Sequence, residues 1–305
     1  MDEQRSRLLI PFALVIAILA VSTSSIFIRF AQQEAPSLVI AALRLTIATL
    51  ALAPAALTRY RGELKGFTRG KALLGLLSGI FLAIHFATWI SSLEYTSVAS
   101  SVVLVSTGPL WVALLSPIFL KEPLTKSVLT GMFLALLGGT IIGLSDSCRL
   151  ADSLICPPLT EFVQGETFLG NFLALIGAWA VAGYLIIGRR LRGGMSLVPY
   201  IFVVYGIAAI VLLGIMLAAR QRPTGFPPIT YVWILLLALI PQLVGHSTYN
   251  WALRYLPAAL VSITTLGEPV SSAILAYFIL GEAPTLLIIL GGILILAGIY
   301  ISART

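Results

Sequence analysis

The chain alternates long apolar stretches with short polar joints. The stretches fall near 8–29, 36–57, 71–93, 97–120, 127–145, 168–188, 197–219, 230–253, 258–280 and 284–302. Each approaches the ~20 residues that a helix needs to cross the hydrocarbon core. The pattern predicts an all-α integral membrane protein with ten transmembrane helices. The first stretch follows Arg5 and Arg7. It outlasts the roughly 7–15 apolar residues of a cleavable leader, so an uncleaved first helix is expected.

Composition agrees with that pattern. Of 305 residues, 59% are hydrophobic and only 10% charged, and the mean hydropathy is +1.02. A soluble domain carries roughly 25% charged residues, so lipid must be the main solvent. The net charge of +7 does not point to nucleic acid, because the basic residues lie in short joints between apolar stretches. With ten crossings both termini share one side. Fourteen of the 19 Lys and Arg fall on that side, four on the other, and Arg44 lies inside a stretch. Cationic loops stay in the cytoplasm, so both termini are expected there. Residues 146–167 then lie outside and hold both cysteines, Cys148 and Cys156. An oxidising compartment favours a disulfide between them, with two free thiols as the alternative.

Sliding the chain by 160 residues aligns its halves without a gap. Leu93 falls on Leu253, Tyr95 on Tyr255, Pro109 on Pro269 and Glu122 on Glu282. Gly131 falls on Gly291, Gly138 on Gly298, and Arg29 on Arg189. Matching prolines, glycines and glutamates at one offset indicate an internal duplication. The expected division is 1–145 for a first five-helix unit, 146–167 for an extracytoplasmic loop, and 168–305 for a second unit. Five is odd, so the second unit enters from the opposite side and the two repeats are inverted. Such repeats hold a substrate site near the midplane, and rocking of the halves gives alternating access.

Glu268 is the sharpest chemical position, about ten residues into its stretch and roughly 15 Å deep at ~1.5 Å per residue. A carboxylate there faces a cavity or a partner. Pro269 follows it and is expected to leave the Thr265 carbonyl unpaired, which makes Pro269 and its repeat mate Pro109 hinge candidates. Two roles stand open for Glu268: proton coupling or substrate-ammonium binding, and a structural ion pair with Arg44. His85 and His246 occupy corresponding helices one position apart. Each is either a proton relay, with His85 the candidate assistant to Glu268, or a packing histidine. Trp89, Tyr249 and Asn250 beside them suit a pocket with aromatic walls and a few polar anchors. Trp111 and Trp179 lie away from the ends of their stretches, where interfacial tryptophans are expected. Gly75-x-x-x-Gly79 and Gly139-x-x-x-Gly143 are expected to serve helix packing. Glu122 and Glu282 end their stretches and are expected as caps or loop contacts. No P-loop, HExxH, G-x-S-x-G or CxxC is present, so no metal, cofactor or enzymatic activity is expected.

Two copies of one loose pattern are now visible. The first is Ser92-Leu93-Glu94-Tyr95-Thr96, Pro109, Glu122, Gly131 and Gly138. The second is Ala252-Leu253-Arg254-Tyr255, Glu268-Pro269-Val270, Gly281-Glu282, Gly291 and Gly298. With the topology, they resemble the EamA-like ten-helix branch of the drug/metabolite transporter superfamily, over essentially the whole chain. The resemblance implies a secondary transporter of the bacterial inner membrane, often exporting amino acids or related metabolites in exchange for protons. It also implies a central cavity whose lining here would include His85, Trp89, Ser106, Trp111, Tyr184, His246, Tyr249, Asn250, Thr264 and Glu268. The expected partners are a small-molecule substrate and the lipid bilayer, for a monomer or weak homodimer. The rival readings are a membrane-embedded enzyme acting on a lipid-linked substrate, and a passive channel.

Overall fold

The computed structural model describes residues 3–96, 101, 104–145, 149–150, 154–155, 165–280 and 285–302. In the first half these form α1 (Glu3–Ser22), α2 (Ser24–Gln32), α3 (Ser37–Thr58), α4 (Arg61–Lys65), α5 (Arg69–Tyr95), α6 (Gly108–Phe119) and α7 (Lys126–Ser145). A two-residue hairpin follows, β1 (Arg149–Leu150) against β2 (Leu154–Ile155), antiparallel with Arg149 opposite Ile155. The second half forms α8 (Gly165–Arg192), α9 (Leu197–Ala218), α10 (Pro228–Leu237), α11 (Ser247–Ala252), α12 (Ala258–Thr264), α13 (Gly267–Leu280) and α14 (Leu286–Ser302). Cys148 and Cys156 lie outside the described residues.

Local chemistry explains the boundaries. Pro36, Pro227 and Pro257 stand in extended backbone immediately before α3, α10 and α12. Proline has no N–H to lose at a helix start and holds φ near the helical value. Thr68 caps α5 by accepting from the Lys71 amide at 3.3 Å. The first apolar stretch breaks at Thr23, between α1 and α2, where Ser22 Oγ returns to the Ile18 carbonyl and Thr23 Oγ1 to that of Ala20. Such back-bonding bends helices. The stretch at 230–253 is less regular than the sequence suggested. Between α10 and α11 a π-helical segment runs over Ala238–His246 with Pro241 inside it. Pro241 supplies no N–H, which removes a bond that an α-helical turn would use.

Six of these helical spans are long and apolar enough to cross a membrane: Leu9–Gln32, Ser37–Thr58, Arg69–Tyr95, Phe168–Arg192, Leu197–Ala218 and Pro228–Ala252. Three apolar helices are shorter: Gly108–Phe119, Lys126–Ile141 and Ile289–Ser302. Burial runs opposite to that of a water-soluble protein. Ile118, Ile210 and Phe278 are exposed, whereas Arg44, Gln242 and Asn250 are fully buried. Lipid accepts the first set and the protein interior must satisfy the second.

The packing pairs helices twice over. α5 packs on α8, and the counterparts of that pair at offset 160, α10 with its π segment and α1 with α2, also pack together. α6 on α8 is matched by α13 on α1. α3 lies against its own counterpart α9, and α7 against α14. In the last pair Gly131 meets Gly298 while Gly138 meets Gly291, so two equivalent helices run antiparallel. A Cβ on Gly298 would stand 2.4 Å from the Gly131 carbonyl oxygen. Small-residue packing is therefore real here, but at Gly131 and Gly138. Gly139, part of the expected Gly139-x-x-x-Gly143 face, has open space beside it. Gly79, in contrast, does face α9, where Ile207 approaches its backbone.

Candidate functional site

Interrupted helices converge on one cavity. It holds about 770 Å³ of empty space, counting the open solvent at its mouth. Val21 and Ser24 reach it from either side of the α1–α2 break, and His85 and Trp89 from α5. Ser106, Gly108 and Pro109 come from the turn that starts α6, and Val181, Tyr184 and Leu185 from α8. His246 and Tyr249 come from the end of the π segment and α11, and Ser262, Thr265 and Glu268 from the α12–α13 junction. The α6 start and the α12–α13 junction are repeat counterparts. At both, short i→i−3 bonds replace the α-helical ladder: Thr107 to Leu104, Thr265 to Ser262, and Glu268 to Thr265. The last of these corrects one expectation. The Thr265 carbonyl is not left unpaired before Pro269, because the Glu268 amide turns back onto it at 3.0 Å.

Glu268 is half-buried in the first turn of α13. The helix N-terminus there favours a negative charge. Its carboxylate has no hydrogen bond or ion pair among the described residues, whereas its backbone amide donates to the Thr265 carbonyl and its backbone carbonyl accepts from Ser22 Oγ at 3.3 Å.

The ion pair expected between Glu268 and Arg44 is not formed. Arg44 donates from Nε to Gln242 Oε1 at 3.0 Å and from Nη1 to Ser24 Oγ at 3.2 Å. Its guanidinium lies over the Phe86 ring, 4.3 Å from the centroid. Two neutral acceptors and an aromatic face thus hold the cation inside the bundle, while Glu268 sits in the cavity wall. Ser24 belongs to both, accepting from Arg44 and lining the cavity.

His85 and His246 are both brought to the cavity. His85 Nδ1 lies 2.9 Å from the Gly177 carbonyl, which can only accept. The neutral ring therefore carries its proton on Nδ1 and keeps the Nε2 lone pair free. The ring stacks on Trp89 at 5.8 Å between centroids. His246 meets Phe86, its counterpart at offset 160, edge to face at 5.3 Å. Two equivalent residues can touch only where the two halves meet, so the cavity sits at that junction.

Three expected lining residues are elsewhere. Asn250 is fully buried behind the wall, with Nδ2 donating to the Tyr184 hydroxyl, to the Tyr205 hydroxyl at 3.3 Å and to the His246 carbonyl at 2.9 Å. Its work is to hold Tyr184, which does line the cavity. Thr264 is buried and spends its hydroxyl on the Val261 carbonyl, leaving the next residue, Thr265, to face the space. Trp111 donates to Thr107 Oγ1 at 3.3 Å and packs edge-on against Trp179, which is 43% exposed on the outside of the bundle. Of the two hinge candidates, Pro109 lines the cavity at the start of α6, and Pro269 lies in the first turn of α13. Ser24 escaped the sequence reading, and Thr265 was expected in the polar segment before Pro269 but not in the lining. The one usable signal was the run of small hydroxyl residues at 22–25, which marks the break in the first helix.

Comparisons with known proteins match this architecture. The model of the EamA-like transporter family fits the chain twice, over residues 8–144 and 168–304. These two matches are offset by the same 160 residues as the internal duplication. An uncharacterised transporter of Archaeoglobus fulgidus is 25% identical over 292 residues, covering 96% of this chain and 95% of its own. The pseudopaline exporter CntI of Pseudomonas aeruginosa is 23% identical over 301 residues, covering 97% of this chain and 98% of its own. A crystal structure of another protein superposes with a TM-score of 0.76 at 18% identity, over 95% of both chains, and so shares the fold.

Proposed function

The chain belongs to the EamA-like transporter family, and from that premise we propose a proton-coupled secondary transporter that exports a small metabolite such as an amino acid. In this reading the ten apolar stretches are ten transmembrane helices. They form two inverted repeats, 1–145 and 168–305, joined by an extracytoplasmic loop. Both termini lie in the cytoplasm of a bacterial cell, and the repeats rock about the cavity to give alternating access, with Pro109 and Pro269 at the hinges. The chain works as a monomer or weak homodimer.

The observation that carries the reading is the Glu268 carboxylate, which faces the cavity with no hydrogen-bond or ion-pair partner among the described residues. A carboxylate in a low-dielectric site is costly until a proton or a cation satisfies it. Either occupant excludes the other, and that competition is what exchange of a proton for a cationic group requires. Trp89 and Tyr249 offer aromatic faces to an ammonium group. Ser24 already accepts from Arg44 and so keeps its proton to donate to a substrate oxygen. A cavity with an acceptor on one wall and a donor on another suits a molecule carrying both charges. The likeness to a pseudopaline exporter supports outward movement.

Reconstituted vesicles test this. An imposed proton gradient, acid on the outside, is expected to drive amino-acid efflux from oriented vesicles, with matching proton entry read by a trapped pH dye. Glu268→Gln, which puts a neutral amide in place of the shared carboxylate, is expected to lose both substrate binding and gradient-driven efflux. Flux that ignores the gradient in both proteins identifies a passive pathway and ends the proposal.

A further inference from the structure

We propose that the Glu122–Arg189 pair is a latch that closes the transport pathway at the end of the bundle where α8 finishes. The proposal rests on the transport reading for its purpose, but its geometry is independent of any substrate. Arg189 Nε donates to Glu122 Oε1 at 2.6 Å, the one salt bridge among the described residues. The second oxygen of the same carboxylate accepts from the Ala258 amide at 3.1 Å, at the start of α12. The second arm of the guanidinium donates to the Leu253 carbonyl at 2.7 Å and to that of Arg254 at 3.2 Å, just after α11. One ion pair therefore joins the chain after α6, the last turn of α8, the chain after α11 and the first residue of α12.

Those elements also wall the cavity. Pro109 lies at the other end of α6, Tyr184 stands one to two turns before Arg189 on α8, Tyr249 is on α11, and Ser262 is on α12. Opening the cavity at this end requires these elements to part, and they cannot part while all four hold the same pair. The backbone supports the assignment. Lys121, which carries Glu122 out of α6, has φ of +57°, a left-handed conformation unusual for a non-glycine residue. Such strain persists where surrounding contacts fix it. Here the fixed result is a carboxylate aimed across the gap. The pair is also suited to release: its side chains are 25% and 20% exposed, so water reaches them when they separate.

The test reads accessibility rather than transport. Ser262→Cys is introduced with Cys148 and Cys156 changed to serine, and is labelled in oriented vesicles with a charged, membrane-impermeant maleimide. Glu122→Gln and Arg189→Gln are each expected to raise labelling from the α8 end about tenfold, and to lower it from the opposite face. That factor corresponds to about 1.4 kcal/mol. The swap Glu122→Arg with Arg189→Glu is expected to restore part of the protection. Unchanged labelling in both single variants overturns the latch. If those variants do not fold, Glu122→Cys with Arg189→Cys, joined by a short reducible thiol cross-linker, decides. The joined protein is expected to lose substrate flux and to regain it on reduction, and a joined protein that still transports sinks the proposal. Labelling that shifts as expected in a protein with no measurable flux keeps the latch and removes the transport reading.

Discussion

Replacing Gly298 with alanine adds a single carbon where the structure leaves no room. The new Cβ would stand 2.4 Å from the Gly131 carbonyl oxygen and 2.8 Å from the Ala135 amide nitrogen. Both are backbone atoms of α7 and cannot rotate away. Ordinary contact begins at 3.4 Å, so α7 and α14 must separate by about 1 Å. Overpacking of this kind costs about 1–3 kcal/mol. Alanine returns about 0.5–1 kcal/mol of helix preference over glycine, so the net loss is about 0–2.5 kcal/mol. Gly139→Ala on the same helix is the control. A Cβ there meets nothing within 4 Å, so only the helix gain of about 0.5–1 kcal/mol remains. Reversible unfolding in mixed micelles, followed by tryptophan fluorescence, measures both. Equal stabilities for Gly298→Ala and Gly139→Ala would refute the claim that the two equivalent helices meet backbone to backbone at Gly131 and Gly298.

Asn250→Ala removes the shared donor of Tyr184 and Tyr205 from a dry interior and is expected to cost about 1–3 kcal/mol in the same unfolding assay. Substrate binding should weaken with it, although Asn250 touches no ligand, because Tyr184 is no longer held in the wall. Arg44→Lys keeps the charge but cannot donate from separate nitrogens to Gln242 and Ser24 while lying flat on Phe86. A loss of about 1–3 kcal/mol is expected, and an unchanged unfolding midpoint contradicts the bonding described for the guanidinium.

The architecture was legible because two of its signals are insensitive to which way any one side chain faces. Apolar length marks a crossing, and the offset of 160 pairs Gly131 with Gly291 and Gly138 with Gly298 whatever surrounds them. The site was less legible because lining depends on azimuth. Successive residues of a helix point about 100° apart, so an error of one position moves a side chain from the cavity to the interior. Thr264 and Asn250 were expected in the lining, and their neighbours Thr265 and Tyr249 are there. Trp111 failed for a related reason: its helix is apolar all round, so periodicity gives no inward face to read. The partner of Arg44 was illegible in principle. Gln242 reaches it from a π-helical segment whose altered rise no periodic pattern reports, and Ser24 from a helix break marked only by small hydroxyls.

The duplication also shows which residues belong to the scaffold and which to the chemistry. Several residues kept in both halves set backbone geometry: the glycines of the α7–α14 crossing, and Pro109 with Pro269 beside the two helix breaks. The charged residues near the cavity are not kept. Arg44 corresponds to Val204, and Glu268 to Gly108. At the junction of the halves, Phe86 faces its own counterpart as His246. A symmetric scaffold would allow two packings of similar energy, related by exchanging the roles of its halves, as the proposed alternating access requires. A symmetric set of charges would instead place two carboxylates in one small cavity, where mutual repulsion raises the cost of ionising both. One acid in one half, with its nearest buried cation held by neutral partners rather than by that acid, avoids this repulsion. Among the described residues it leaves one acid in the cavity wall, which the proposed exchange of a proton for a substrate cation would use.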